Sequence, residues 1–131
     1  MNAQELNKIG AAIVDAAIAV HRALGPGLLE SAYKFCLAME LEERGLRVQL
    51  DVPLLLTYHK RSAGKVYEMD MVVNEHVVVE LKAVEFMNPL YAAQTLTYLR
   101  IRQSPLAYLI NFNVMRLKDG LKRIVHNFPD R

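Results

Sequence analysis

The stretch His76–Ala83, "HVVVELKA", is a run of valines broken by Glu80 and, two positions on, by Lys82. Valine runs belong in the middle of a sheet, where β-branched side chains pack against a pleated surface. Two charges in such a place need a reason. Side chains two apart share a face of a strand, so Glu80 and Lys82 point one way while Val79, Leu81 and Ala83 point the other. The preceding run, "KVYEMDMVV" from Lys65 to Val73, has the same texture. Strict alternation puts Glu68 and Asp70 on one of its faces and Met69, Met71 and Val73 on the other.

A polar turn around Asn74 and Glu75 separates the two strands. A three-residue loop pairs Val73 with Val77, sets Asp70 across from Glu80, and sets Glu68 across from Lys82. A two-residue loop without a bulge puts Asp70 on the wrong face. Two carboxylates facing each other across a ladder repel by about 4 kcal/mol at about 4 Å and an effective dielectric of about 20. Lys82 neutralises one of them. A hard divalent cation held by carboxylate and carbonyl oxygens is the more economical account of a pair plus a lysine, although Glu-x-Lys by itself is common on solvated strand faces.

Working outward, apolar residues recur at Leu6, Ile9, Ile13, Ala16, Ala17 and Val20, the spacing of an amphipathic helix over about residues 4–24, which "GPG" at Gly25–Gly27 ends. A second helix is expected over about 28–44, with Tyr33, Leu37 and Leu41 on one stripe and Gly45 as its C-cap. "LRVQLDVPLLLTY" reads as one or two short strands with Pro53 at a bend or an edge. Residues 90–102 return to helical texture, "LAYLINF" is a short buried strand, and Asp119-Gly120 turns the chain into an edge strand. The order is two helices, a three-strand meander, a helix and a strand, with no repeat and no linker, so a single domain over 1–131 is expected.

Composition narrows the class. Apolar residues make up 53% of the chain and charged residues 23%, enough to bury a core in an ordinary globular protein. The formal charge of +2 permits contact with a polyanion without arguing for it. A lone cysteine, Cys36, allows no internal disulfide, which together with an N-terminus unlike a signal peptide and no membrane-length apolar run suggests a cytoplasmic protein that does not enter a membrane. Cys36 and the serines lack the context of a nucleophile. His21, His59, His76 and His126 lack zinc-like spacing and read as surface or capping residues. Arg100, Arg102, Arg116, Lys118, Lys122 and Arg123 can be read as a basic rim for nucleic acid, but taken singly each is better read as a solvated face.

"GPGLLESAY" with Gly27, Glu30 and Tyr33, then Asp70, "ELK" at Glu80–Lys82, "QTLTYL" from Gln94 and "LINF" from Leu109 together resemble the GxxExxY family of the PD-(D/E)XK nuclease superfamily, over nearly the whole chain. The resemblance implies a restriction-endonuclease-like α/β (α+β) fold: an αβββαβ core with a mixed central sheet flanked by helices. It implies that Asp70 and Glu80 hold a divalent metal, Mg2+ or Mn2+, with the backbone carbonyl of Leu81 completing the site. Lys82 is then the residue that serves the attacking water and the charge on the phosphate. Glu30 adds a ligand or a base, and Gln94, with Tyr98 four residues on along the same helix face, lies beside the site. Each residue also has an ordinary reading: a dipole-favoured carboxylate paired with Lys34 for Glu30, a core aromatic for Tyr33, a solvated amide for Gln94. The turn at His59 and Lys60 and the acid at Glu68 depart from the family pattern, away from the metal positions, and bear on how the loop 59–64 meets a substrate.

The function expected is a metal-dependent phosphodiesterase acting on DNA or RNA, because such hydrolysis needs a polarised phosphoryl oxygen and an activated water that one magnesium ion can serve. The alternatives are a catalytically idle nuclease-fold module that binds nucleic acid or a protein, and a hydrolase of small phosphoesters. A homodimer is expected if both strands of a duplex are cut.

Overall fold

The computed structural model describes residues 1–130. Asn2 starts the first helix, α1 (Ala3–Leu24), with a reciprocal cap in which its side chain accepts the Glu5 amide and the Glu5 carboxylate accepts the Asn2 amide. The six periodic apolar residues of α1 are all buried, as their spacing requires. Gly25 (φ +70°) and Gly27 (φ +103°) then carry the chain through a turn that residues with a Cβ rarely make. Tyr33, in the first turns of α2 (Glu30–Glu43), ties this turn down: its hydroxyl donates to the Gly25 carbonyl at 2.6 Å and accepts the Leu28 amide at 3.1 Å. Its ring stacks on Phe112 with centroids 4.7 Å apart. The glycine, glutamate and tyrosine of "GPGLLESAY" thus form a turn, a helix start and the pin between them.

Five strands follow, β1 (Val48–Tyr58), β2 (Arg61–Val73), β3 (Val77–Lys82), β4 (Leu106–Asn111) and β5 (Leu121–Val125), with the helix α3 (Pro89–Arg102) between β3 and β4 and one 3-10 turn before β5. They form one sheet in the order β1-β2-β3-β4-β5, parallel only between β3 and β4 and antiparallel elsewhere. The parallel pair is joined by the crossover through α3, which covers one face, while α1 and α2 cover the other. This is the mixed α+β architecture of the restriction-endonuclease-like fold. With both faces covered, β3 and β4 read as continuous apolar runs, and the valines of "HVVVELKA" are divided accordingly: Val77 and Val79 pack under α1 and α2, Val78 under α3.

Several expectations are corrected. β1 and β2 are not short strands separated by a loop but one long hairpin, 11 and 13 residues, because His59 and Lys60 both adopt positive φ and close a tight turn where no glycine announces one. Alternation also slips within it. Met71 and Val73 face α1 and α2, yet Met69 packs with Val52 and Leu54 under α3. The slip falls at Asp51 and Asp70, where Asp51 has φ +52° and the ribbon turns over. Glu68 therefore does not stand opposite Lys82; it is exposed and pairs with Lys65 at 3.2 Å. His21 is not a surface residue: it is buried, and its Nε2 donates to the Val114 carbonyl at 2.8 Å. Arg102 bonds to the Glu75 carbonyl at the β2–β3 turn, the far end of β3 from Lys82. No helix among the described residues is long and apolar enough to cross a membrane.

The Tyr33 hydroxyl has two partners and no exposure. Tyr33→Phe is expected to cost about 1–2 kcal/mol, lowering Tm by about 3–8 °C, with an unchanged far-ultraviolet spectrum. A Tm equal to that of the wild type would show that the hydroxyl does not tie the glycine turn to α2.

Candidate functional site

The seam between β3 and β4 stays closed to its end. Val77–Lys82 pair with Leu106–Asn111 throughout, and the Phe112 amide donates to the Lys82 carbonyl at 2.9 Å. The seam on the other side of β3 opens. Its pairing begins at Val73 with Val77, as a three-residue loop requires, and stops at Met71 with Val79. Buried main-chain groups beyond that point need other partners, and side chains supply them. The Leu81 amide donates to Asp70 Oδ2 at 2.9 Å, and the Asp70 amide donates to Glu80 Oε1 at 3.2 Å. Each acid thus satisfies the backbone of the other's strand, which holds both carboxyls in the fork. The N–H and C=O of one residue leave an extended strand on the same edge, so the Leu81 carbonyl also faces the fork.

The cations around the pair are distributed unequally. Lys34, one turn into α2, bonds to Asp51 at 2.6 Å and faces Asp70 at 3.9 Å. Its pKa is raised by the Asp51 hydrogen bond against the opposing effect of burial. Glu30 and Lys34 form no ion pair, the ordinary alternative for this carboxylate; Lys34 reaches across to β1 instead. Lys82 leaves β3 on the α3 side and places its Nζ 4.4 Å from the centre of the Tyr91 ring, a cation–π contact that holds it close without committing it to an acid. Glu80, only 1% exposed, therefore has no cation bonded to it among the described residues. Burial first, and then the Asp70 carboxyl, push its pKa up to about 9, with Lys82 pulling weakly the other way. Burial thus favours the protonated form of Glu80.

Glu30 is the first residue of α2 and is half-buried; burial and then the charge of Asp70 raise its pKa, against Lys82 and Lys34. It stands within electrostatic reach of the pair without joining it, since no three Asp, Glu, His or Cys side chains among the described residues gather as a metal cluster. Gln94 is half-buried on α3, one turn from Tyr91 and one from Tyr98. The Tyr98 ring stacks on Tyr67 at 4.3 Å, and its hydroxyl is pushed above the usual tyrosine range by burial first, then by Tyr67, Glu80 and Asp70, so it remains a donor beside the acids.

Four members of this constellation were not singled out from the sequence as site residues: Lys34, Asp51, Tyr67 and Tyr91. Lys34 and Asp51 meet only because β1 turns over at Asp51, a conformation that "LDVP" does not announce. Tyr91 had a signal, since it lies one helical turn before Gln94. Asn111 belongs with them as a support, because its side chain accepts the amides of Val84 and Asn113 and donates to the Val84 carbonyl, fixing the chain just beyond Lys82.

The donor set fits a hard divalent cation. Two carboxyls held side by side in the fork, with a strand carbonyl on the same edge, are oxygen donors of the kind such a cation takes. With two carboxyls rather than three, such an ion keeps several coordination positions for water or phosphate oxygens, as magnesium prefers.

The chain matches the model of the PD-(D/E)XK nuclease superfamily over residues 7–124 and belongs to that superfamily, whose nucleases generally use divalent metal ions. Searches of curated proteins and of solved structures gave no match. Membership supports nuclease-type function in general terms, with nucleic acid as the class of substrate it suggests.

A carboxyl whose folded-state pKa is raised keeps its proton where the unfolded chain has lost it, so its contribution to stability is present at low pH and lost as pH rises. For Glu80 that window runs from its ordinary 4.5 to about 9. In the absence of metal, Glu80→Gln should therefore flatten the decline of stability across this range and raise Tm at alkaline pH by about 3–8 °C. Wild-type and variant melting curves with the same pH dependence would show that the fork does not hold a strained acid.

Proposed function

We propose that this protein is a metal-dependent phosphodiesterase acting on nucleic acid, one of the GxxExxY group of its superfamily. The observation that carries the proposal is the opening of the β2–β3 seam onto Asp70 and Glu80, with Lys82 next along the same strand. Asp70, Glu80 and the Leu81 carbonyl would hold Mg2+ or Mn2+. When bound, the ion would polarise a phosphoryl oxygen and lower the pKa of its water.

The remaining roles fall to side chains. Lys82 lies against Tyr91 rather than in an ion pair, so it is free to move toward the attacking water and the developing phosphate charge. The first residues of α2 and the first turn of α3 both approach the fork, as the positions of Glu30 and Tyr91 show. Positive helix ends favour a phosphate there. Glu30 serves as an outer ligand acting through water, and Gln94 and the Tyr98 hydroxyl orient oxygens beside the pair. Two copies acting together would suit the cutting of both strands of a duplex.

With Mg2+ or Mn2+, purified protein is expected to cleave phosphodiesters, and a chelator to stop it. Lys82→Ala should lower the rate by about 10²–10³-fold, the usual loss when one transition-state charge partner is removed, while metal affinity is retained. Asp70→Asn should lose both metal and rate, and Glu30→Gln should cost less than either. Wild type, Lys82→Ala and Asp70→Asn from identical preparations must differ; equal rates in all three would mean that the cleavage belongs to a contaminant and that the fork is not catalytic.

A further inference from the structure

The β1–β2 hairpin runs beyond the sheet at one end only, and that end is the functional one. β2 is antiparallel to β3 and leaves it after Met71, while its pairing with β1 continues to Tyr58 and Arg61. Since Lys82 ends β3 at the same edge, the hairpin projects past the fork as a two-stranded arm. From Asp70 to Arg61 the strand reaches at most about 30 Å at about 3.3 Å per residue, close to one turn of B-form DNA at about 34 Å. The base of the arm is packed on α3 through Val52, Leu54 and Met69. An unsupported two-stranded ribbon is marginal in water, so the outer part stands ready for a partner.

The charge of the arm says which kind. Between Val52 and Tyr67 there is no Asp or Glu, but there are Lys60, Arg61 and Lys65, with His59 beside them. Among the described residues only Lys65 of these has a carboxylate partner, the exposed Glu68. Tyr58, 68% exposed, sits at the turn with His59 edge-on at 4.4 Å. Charges can also serve to protect a strand edge from pairing. That purpose would spread them along the edge, whereas here Lys60 and Arg61 gather at the tip and Leu55 and Val66 are left exposed lower down.

We infer that the β1–β2 arm is a DNA-holding element that lies in the major groove of a duplex whose backbone crosses the fork. The major groove of B-form DNA, about 12 Å wide, admits a two-stranded ribbon, and that of an RNA duplex is too deep and narrow for side chains to read. The inference rests on reading the fork as a phosphate site. Its test is independent of catalysis.

Binding is measured without metal, by fluorescence anisotropy over a range of salt, to a DNA duplex of about two turns, the matching single strand and the matching RNA duplex. Relative to wild type, the double variant Lys60→Gln/Arg61→Gln is expected to bind the DNA duplex at least about tenfold more weakly, with the slope of log affinity against log salt reduced by about 2. Its affinity for the single strand and the RNA duplex should change much less, and Lys8→Gln, an exposed change on α1 near Asn74 of the β2–β3 turn, at the other end of β3 from Lys82, should leave all three unchanged. Unchanged duplex affinity in the double variant, failure of the wild type to bind the duplex, or an equal loss on all three ligands would overturn the assignment. Cleavage is scored separately with Mg2+. Wild-type cleavage with an arm that makes no difference would leave the nuclease reading standing and remove the arm, and arm-dependent binding without cleavage would do the reverse.

Discussion

The candidate site depends on one event in the sheet, the parting of β2 from β3 after Met71 and Val79 while β3 stays joined to β4. Had the ladder continued, the Leu81 amide would bond to main chain and Asp70 and Glu80 would be left as surface acids or buried unpaired ones. Because it stops, the two carboxyls are drawn in to satisfy backbone donors, at 2.9 and 3.2 Å, and are held in fixed positions by the sheet itself. The parting has a local cause in the left-handed turn of Asp51 on the neighbouring strand, which rotates the hairpin and carries Met69 from one face of the sheet to the other.

Two consequences follow. The hairpin, once turned, extends beyond the sheet end, so the acids lie at the root of a basic arm rather than at a blunt edge. The acids also meet each other with only one salt bridge to them among the described residues, from Lys34 to Asp70 at 3.9 Å. Lys34 is engaged chiefly with Asp51, and Lys82 rests on Tyr91. Glu80 answers by keeping a proton up to about pH 9. On the proposed function, this arrangement, held in shape by its proton and backbone bonds, would take up a small, highly charged ion, and the positive ends of two helices would favour the phosphate brought with it.

Much of this was legible in the sequence. Element order follows from apolar spacing in α1, the GPG stop and the valine run. The three-residue β2–β3 loop places Val73 against Val77 and brings Asp70 toward Glu80. What escaped is where backbone conformation departs from type. Asp51, His59 and Lys60 take positive φ without being glycine, so the overturning of the hairpin and its length were hidden, and with them Lys34–Asp51 and the true place of Glu68. His21 looked like a surface residue because its partner, the Val114 carbonyl, is remote in sequence. Tertiary meetings of this kind, Lys82 on Tyr91 or Tyr67 on Tyr98, carry no local signal.

The central claim of the proposed function is that the fork takes a divalent metal in exchange for the proton held by Glu80. Calorimetric titration with Mn2+ near neutral pH, repeated in buffers of different ionisation heat, measures that exchange directly, because a ligand that must lose a proton releases it to the buffer on binding. About one proton released per ion by the wild type, and none by Glu80→Gln, is the predicted result. Metal binding with no proton release, or release that persists in Glu80→Gln, would contradict the account.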